Sequence, residues 1–508
     1  MMRSYVKRAP ALLTIGTLAL LNSACIVGPK YVKPATPGAA SFKETLPSNF
    51  KEVEGWKPGE PRDDMHRGKW WEIFNDTTLN SLEDQIDVSN QTLAAAEAQY
   101  RQSRAAIRVA RSGLGPTISS APSLTGAMIS ANSGATHGLP TVGLADIDIP
   151  VTASWVPDLW GQVRRTIESA AATAQASAAD LENARLSIQG ELALDYFQLR
   201  GQDAQKQLLD STVTAYTQAL TLTRNRYAQG VASQVDVAQA ETQLVQTQAQ
   251  STDTQVTRQT FEHAIAILIG KPPSELTIPL IPVASPTAPA AANLPEIPGL
   301  IPSELLERRP DIAGSERRVA AANAQIGVAI SAYYPTLSLG ASGGIQSSSL
   351  LSLFTWPSRF WSLGPTFSET LFDSGRRRGL TEEAQAAYDL TVANYRESVL
   401  TAFQSVEDQL STLRILEQES KQQADAVRWA ERSLELANAQ YTGGITTYLQ
   451  VITAQTFALQ NELTAVQLNT RRMTASASLI EALGGGWDVS QLPSTKDVTP
   501  VKAKNNTR

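Results

Sequence analysis

The chain has one cysteine, three histidines and few aromatic residues, 6% of its 508 positions. A single cysteine, Cys25, excludes an internal disulfide framework. His66, His137 and His263 stand in unrelated contexts, and no HExxH, paired-cysteine or glycine-rich phosphate motif occurs, so no enzyme, metal or cofactor site is expected. Basic residues do not exceed acidic ones, 43 against 49, which argues against a nucleic-acid partner. Beyond residue 21 no apolar run approaches the ~20 residues that a membrane-crossing helix needs. Proline is missing between Pro157 and Pro272 and again between Pro365 and Pro493, although the chain holds 27. Both tracts can therefore be helical almost throughout.

What is present is rich in Ala, Gln, Ser and Thr, a composition that suits long helices packed closely through small residues. Arg3, Lys7 and Arg8 followed by the apolar run 11–21 read as a signal peptide over 1–24, hence export. Cys25 follows Ser23 and Ala24 and is read as a lipidated N-terminus. A buried thiol, or cleavage without lipidation, is the alternative; Asn22 stands where a lipoprotein cleavage box usually carries Leu. Residues 25–75 read as an extended arm, rich in Pro, Gly and charge.

The stretch Arg226–Gln243 returns as Gln440–Phe457: Tyr227 pairs with Tyr441, Gly230 with Gly444, Val237 with Val451, Ala240 with Ala454 and Gly270 with Gly484, each 214 positions apart. Five pairs at one spacing argue for an internal duplication. Repeat 1 spans 76–271: a helix from Asp76 to about Ser112, a β-hairpin over 116–157 and a helical hairpin over 160–270. Repeat 2 spans 303–486: a helix from Pro310 to Pro335, a β-hairpin over 335–371 and a helical hairpin over 373–484. A connector with nine prolines, 272–302, joins them, and 487–508 reads as a polar tail, partly disordered. Within the first proline-free tract, Ile167, Ala171, Ala174, Ala178, Leu181, Ile188, Leu192 and Leu199 keep the spacing of a coiled-coil seam.

The hairpins rest on alternation. Ile147, Ile149, Val151, Ala153 and Trp155 alternate with Asp148, Pro150, Thr152 and Ser154, and Trp361, Leu363, Pro365 and Phe367 with Ser362, Gly364, Thr366 and Ser368. Such segments fit either a membrane β-barrel or a half-buried sheet in a soluble domain. About four strands per chain fall short of the ~8 that a closed membrane barrel needs, so a barrel requires several chains to pool strands.

CIVGPKYVKP at Cys25–Pro34, WWEIFNDTTLNSL at Trp70–Leu82, DLWGQVRR at Asp158–Arg165, RYAQGVASQVDV at Arg226–Val237, LLERRPDI at Leu305–Ile312 and LFDSGRRR at Leu371–Arg378 occur in this order across nearly the whole chain. In these the sequence resembles the TolC-like outer-membrane factor family, in particular the NodT/OprM-like lipoprotein branch of resistance-nodulation-division efflux systems. The resemblance implies a mainly helical fold and a homotrimer with one shared 12-stranded outer-membrane β-barrel. A periplasmic α-barrel of coiled-coil hairpins continues it, and the partners are a periplasmic adaptor, an inner-membrane transporter and outer-membrane lipids. The implied function is passive efflux of small toxic compounds; a type I protein-secretion duct is the alternative, and a lipid-anchored periplasmic coiled-coil scaffold the alternative of another class.

The resemblance also implies that Gly230, Val231, Ala232 and Ser233 with Gly444, Ile445, Thr446 and Thr447 form an adaptor-facing tip. Asp236 stands where a gate acid is expected, and Tyr441 where a gate tyrosine is. Gln450 and Thr453 occupy positions that often carry aspartate in relatives, and Thr446 replaces a gate arginine, so gating charge is expected to be reduced and unequally shared between the two hairpins.

Overall fold

The computed structural model describes residues 26–36, 43, 69–128, 143–282 and 308–499. The signal peptide and Cys25, most of the arm, much of the connector, and 500–508 lie outside these. The first half runs α1 (Thr77–Ser89), α2 (Gln91–Ser112), β1 (Thr117–Ser120), β2 (Ser123–Met128), β3 (Gly143–Trp155), α3 (Gln162–Ala228) and α4 (Gln234–Leu268). The second runs α5 (Pro310–Ser331), β4 (Thr336–Ser347), β5 (Arg359–Ser368), α6 (Arg376–Thr442) and α7 (Tyr448–Ala482), followed by a single turn, α8 (Thr495–Val498). α3 and α6 each have 67 residues, α4 and α7 each 35, and α2 and α5 each 22. At 1.5 Å per residue the longest helices extend about 100 Å. Among the described residues no helix is long and apolar enough to cross a membrane.

The seam on α3 is where the helices meet. Ala171, Ala174, Ala178, Ile188, Leu192 and Leu199 are buried, and Ile167 and Leu181 half-buried. Alanine at these positions lets α3 pack against α2, α4, α5 and α7. The helix expected from Asp76 to Ser112 breaks at Asn90, whose side chain caps α2 by accepting from Leu93 N–H at 2.8 Å and donates to the Leu268 carbonyl at 2.7 Å. One cap bond and one tertiary bond offset the lost helical turn.

Two segments assigned to the arm and the tail belong to the core. Trp70, Trp71 and Phe74, in a 3₁₀ turn, are buried beside α1, and the Phe74 ring lies 4.8 Å from that of Phe197 on α3. Trp487 and Val498 are also buried, and Gln175 on α3 donates to the Pro493 carbonyl at 2.9 Å, so the tail is ordered through 499. Residues 26–36 lie against the helices: buried Arg165 donates to the carbonyls of Val27, Gly28 and Pro29, and Arg396 reaches that of Ala35.

Glu83 is the oddity of this core. It shares the inward face of α1 with Leu79, Leu82 and Ile86, and neither carboxylate oxygen has a partner. Burial, with Asp84 and Asp87 adding to it, pushes its carboxyl well above the usual range. A carboxyl raised in the folded state binds its proton more tightly there, so the folded state loses stability as pH rises above the unfolded pKa. Glu83→Gln is expected to stabilise the protein at neutral pH by about 1–3 kcal/mol and to do nothing near pH 4, as read by thermal denaturation across pH.

β1 to β5 form one antiparallel sheet. β1 and β2 pair successive parts of β3 in one unbroken register, Thr117↔Ser154 to Ser120↔Val151 and then Ser123↔Asp148 to Met128↔Gly143. They are a single strand interrupted where Pro122 and Pro150 supply no N–H. The sheet therefore has four strand positions, in the order β1/β2, β3, β4, β5.

Candidate transport duct and its tip

Cross-strand neighbours share a face, so the register sorts the sheet into rows. Ser119, Thr152, Ser342 and Ser362 make one row; Ile118, Ala153, Ala341 and Leu363 make the next, pointing the other way. Thr117, Ser154, Gly340 and Gly364 then continue the polar face, and Val151, Gly343 and Trp361 the apolar one. The polar face carries side-chain bonds, Ser119 to Thr152 at 2.8 Å and Gln346 to Asp146 at 2.9 Å. Nothing described covers the apolar face: Trp361 is 81% exposed, and Leu363, Ile118 and Phe367 are likewise exposed. Nor does any described strand pair with the outer edge of β1/β2 or of β5. A single-layer sheet with a bare apolar face and two open edges is incomplete in water.

At the other end of the helices the two tips are built alike. Gly230 and Gly444 take φ of 75° and 74°, and the N–H after each, from Val231 and Ile445, reaches back five residues to Arg226 and Gln440 carbonyls at 2.9 Å. Both helices thus end in a Schellman turn that requires glycine. Val231, Ser233, Ile445 and Thr447 are exposed, with Ala232 and Thr446 half-exposed.

The two copies differ at the start of the returning helix. Ser233 caps α4 in a full capping box, with the Asp236 carboxylate accepting from Ser233 N–H at 2.8 Å and from its hydroxyl at 2.9 Å. Thr447 makes no side-chain cap at α7. Gln450 and Thr453 are exposed. Tyr441 is only 7% exposed, its ring 5.2 Å from that of Tyr448 and covered by the Arg226 guanidinium at 4.6 Å. Burial pushes the Tyr448 hydroxyl up to about 12, so it is neutral at physiological pH. Arg226 also donates to the Thr442 carbonyl at 3.4 Å, tying the first hairpin to the second. The sequence alone assigned Arg226 no role at the tip, because its partner lies in the other repeat.

Comparison with known proteins places this architecture. A family model described as outer membrane efflux protein matches residues 82–271 and 301–485. The chain belongs to the outer membrane efflux protein family. It is similar to the outer membrane protein OprJ of Pseudomonas aeruginosa, 29% identical over 93% of this chain and 95% of OprJ. It is 31% identical to the solvent efflux pump outer membrane protein SrpC of Pseudomonas putida, over 93% of this chain and 97% of that one. Among solved structures the outer-membrane channel OprN superposes with a TM-score of 0.77 at 27% identity, covering 91% of this chain and all of that one. This efflux protein is therefore an outer-membrane protein of TolC-like fold. Among its described residues no group of three His, Cys, Asp or Glu side chains could hold a metal ion.

Proposed function

We propose that three copies pool four strand positions each into a 12-stranded barrel across the outer membrane. The bare apolar face turned to lipid is the observation that carries this reading, and the polar rows then line the lumen. Two open edges per chain permit closure by neighbours. The long hairpins continue the duct into the periplasm, and the equal helix lengths of the two halves support their origin by duplication. The duct is the passive exit for small toxic compounds, as the names of the relatives suggest, driven by an inner-membrane transporter of the resistance-nodulation-division class through a periplasmic adaptor. Cys25 carries the lipid anchor: its neighbour Ile26 lies against Gly161, just beyond the end of β3, where a lipid would reach the membrane.

The tip, Gly230–Ser233 with Gly444–Thr447, receives the adaptor, and cysteines placed at Ser233 or Thr447 should crosslink to it. Asp236 contributes gate charge, and Tyr441, held by Arg226, supports the closed state, while Gln450 and Thr453 add no charge. In planar bilayers the purified protein is expected to form pores. Asp236→Asn should lower their cation selectivity and raise closed-state leak. Ser233→Ala should cost about 1 kcal/mol of local helix stability and leave selectivity unchanged. Equal selectivity and leak for Asp236→Asn and the native protein would reduce Asp236 to its capping role.

A further inference from the structure

Arg359 is the only basic residue on the five described strands. Its row, Ile149↔Ile345↔Arg359, belongs to the apolar face, one pleat beyond Val151, Gly343 and Trp361. A guanidinium on a lipid-facing surface is costly unless it reaches the interface and meets an anion. β5 has 10 residues, the length of a tilted membrane strand, and its other end leads toward α6. Arg359 therefore sits at the interface remote from the helices, where the outer-leaflet headgroups lie.

Its surroundings fit that level. The guanidinium stacks 4.1 Å over the Trp356 ring, and Trp356 is itself exposed, as indole rings at membrane interfaces are. Leu350, Leu351 and Phe354 in the same connection are exposed too, and no described residue covers them. No described carboxylate pairs with Arg359. The guanidinium thus keeps its hydrogen-bond donors for an anion, in the planar fork that matches phosphate.

We infer that Arg359 and Trp356 form a binding site for a phosphate-bearing lipid of the outer leaflet. The guanidinium donates to the phosphate, the indole packs at headgroup depth, and Trp361, one pleat nearer the membrane centre on the same face, meets the acyl chains. This rests on the membrane-barrel reading proposed above.

Native mass spectrometry of the detergent-solubilised protein, titrated with diphosphoryl lipid A and separately with the dephosphorylated lipid, tests the site. The native chain should retain the phosphorylated lipid preferentially. Arg359→Gln should weaken that retention about tenfold or more, and Arg359→Lys, which keeps the charge and loses the fork, should fall between. Inorganic phosphate at the same concentration should not displace the lipid; displacement would point to a plain anion site and overturn the lipid assignment. Equal retention of both lipids, or no change in Arg359→Gln, would also overturn it. Planar-bilayer recordings of the same samples separate the two readings. Normal pores without lipid discrimination remove the site and leave the barrel, whereas a native protein that forms no pores removes both.

Discussion

Leu363→Arg is expected to abolish recovery of assembled protein from the outer membrane, while Ser362→Arg, one residue away, is expected to assemble and alter conductance. Leu363 lies midway along β5 in the apolar row with Ala341, Ala153 and Ile118, whereas Ser362 lies in the polar row with Ser342, Thr152 and Ser119. A guanidinium facing lipid at the bilayer midplane costs about 2–4 kcal/mol, and the proposed trimer would bear that three times. The same group in a water-filled lumen is solvated, and there it repels cations. Heat-modifiable mobility on gels and single-channel conductance read the two outcomes. A soluble half-buried sheet predicts no such contrast in a membrane assay.

The second large effect concerns glycines that look alike in sequence. Gly484 has a φ of 96°, and a Cβ there would stand 2.0 Å from the Arg308 carbonyl oxygen; at Gly270 it would stand 2.1 Å from that of Ser89. Both contacts are with backbone, which cannot step aside. Gly444 shares the left-handed conformation but opens onto empty space. Gly444→Ala should therefore cost only the backbone term, about 1–2 kcal/mol. Gly484→Ala adds a collision to that term and should exceed about 4 kcal/mol, enough to prevent accumulation of folded protein. Thermal denaturation and expression level distinguish them.

The long helices were legible because proline is absent from two tracts and the α3 seam keeps its spacing, and the strands because their side chains alternate over enough residues to fix a face. The break at Asn90 was not. Helical periodicity runs through it, and the Leu268 carbonyl that holds the break lies 178 positions away. The burial of Trp70, Trp71 and Trp487 was hidden for a related reason: each sits in a short segment with no helical or strand periodicity of its own, and the residues it packs against come from distant parts of the chain. At the tips the glycines were readable as turn residues, whereas the Ser233 capping box emerged only with the geometry. The stacking of Arg226 on Tyr441 was not, since it joins two hairpins through tertiary packing alone.

Four strand positions per chain leave the number of chains as the quantity on which the duct depends, because two would give eight strands and three would give twelve. The mass of the detergent-solubilised particle, measured by native mass spectrometry, decides it. Three chains per particle are predicted. A particle of one or two chains, or a single chain that stays in solution without detergent, would contradict the shared barrel.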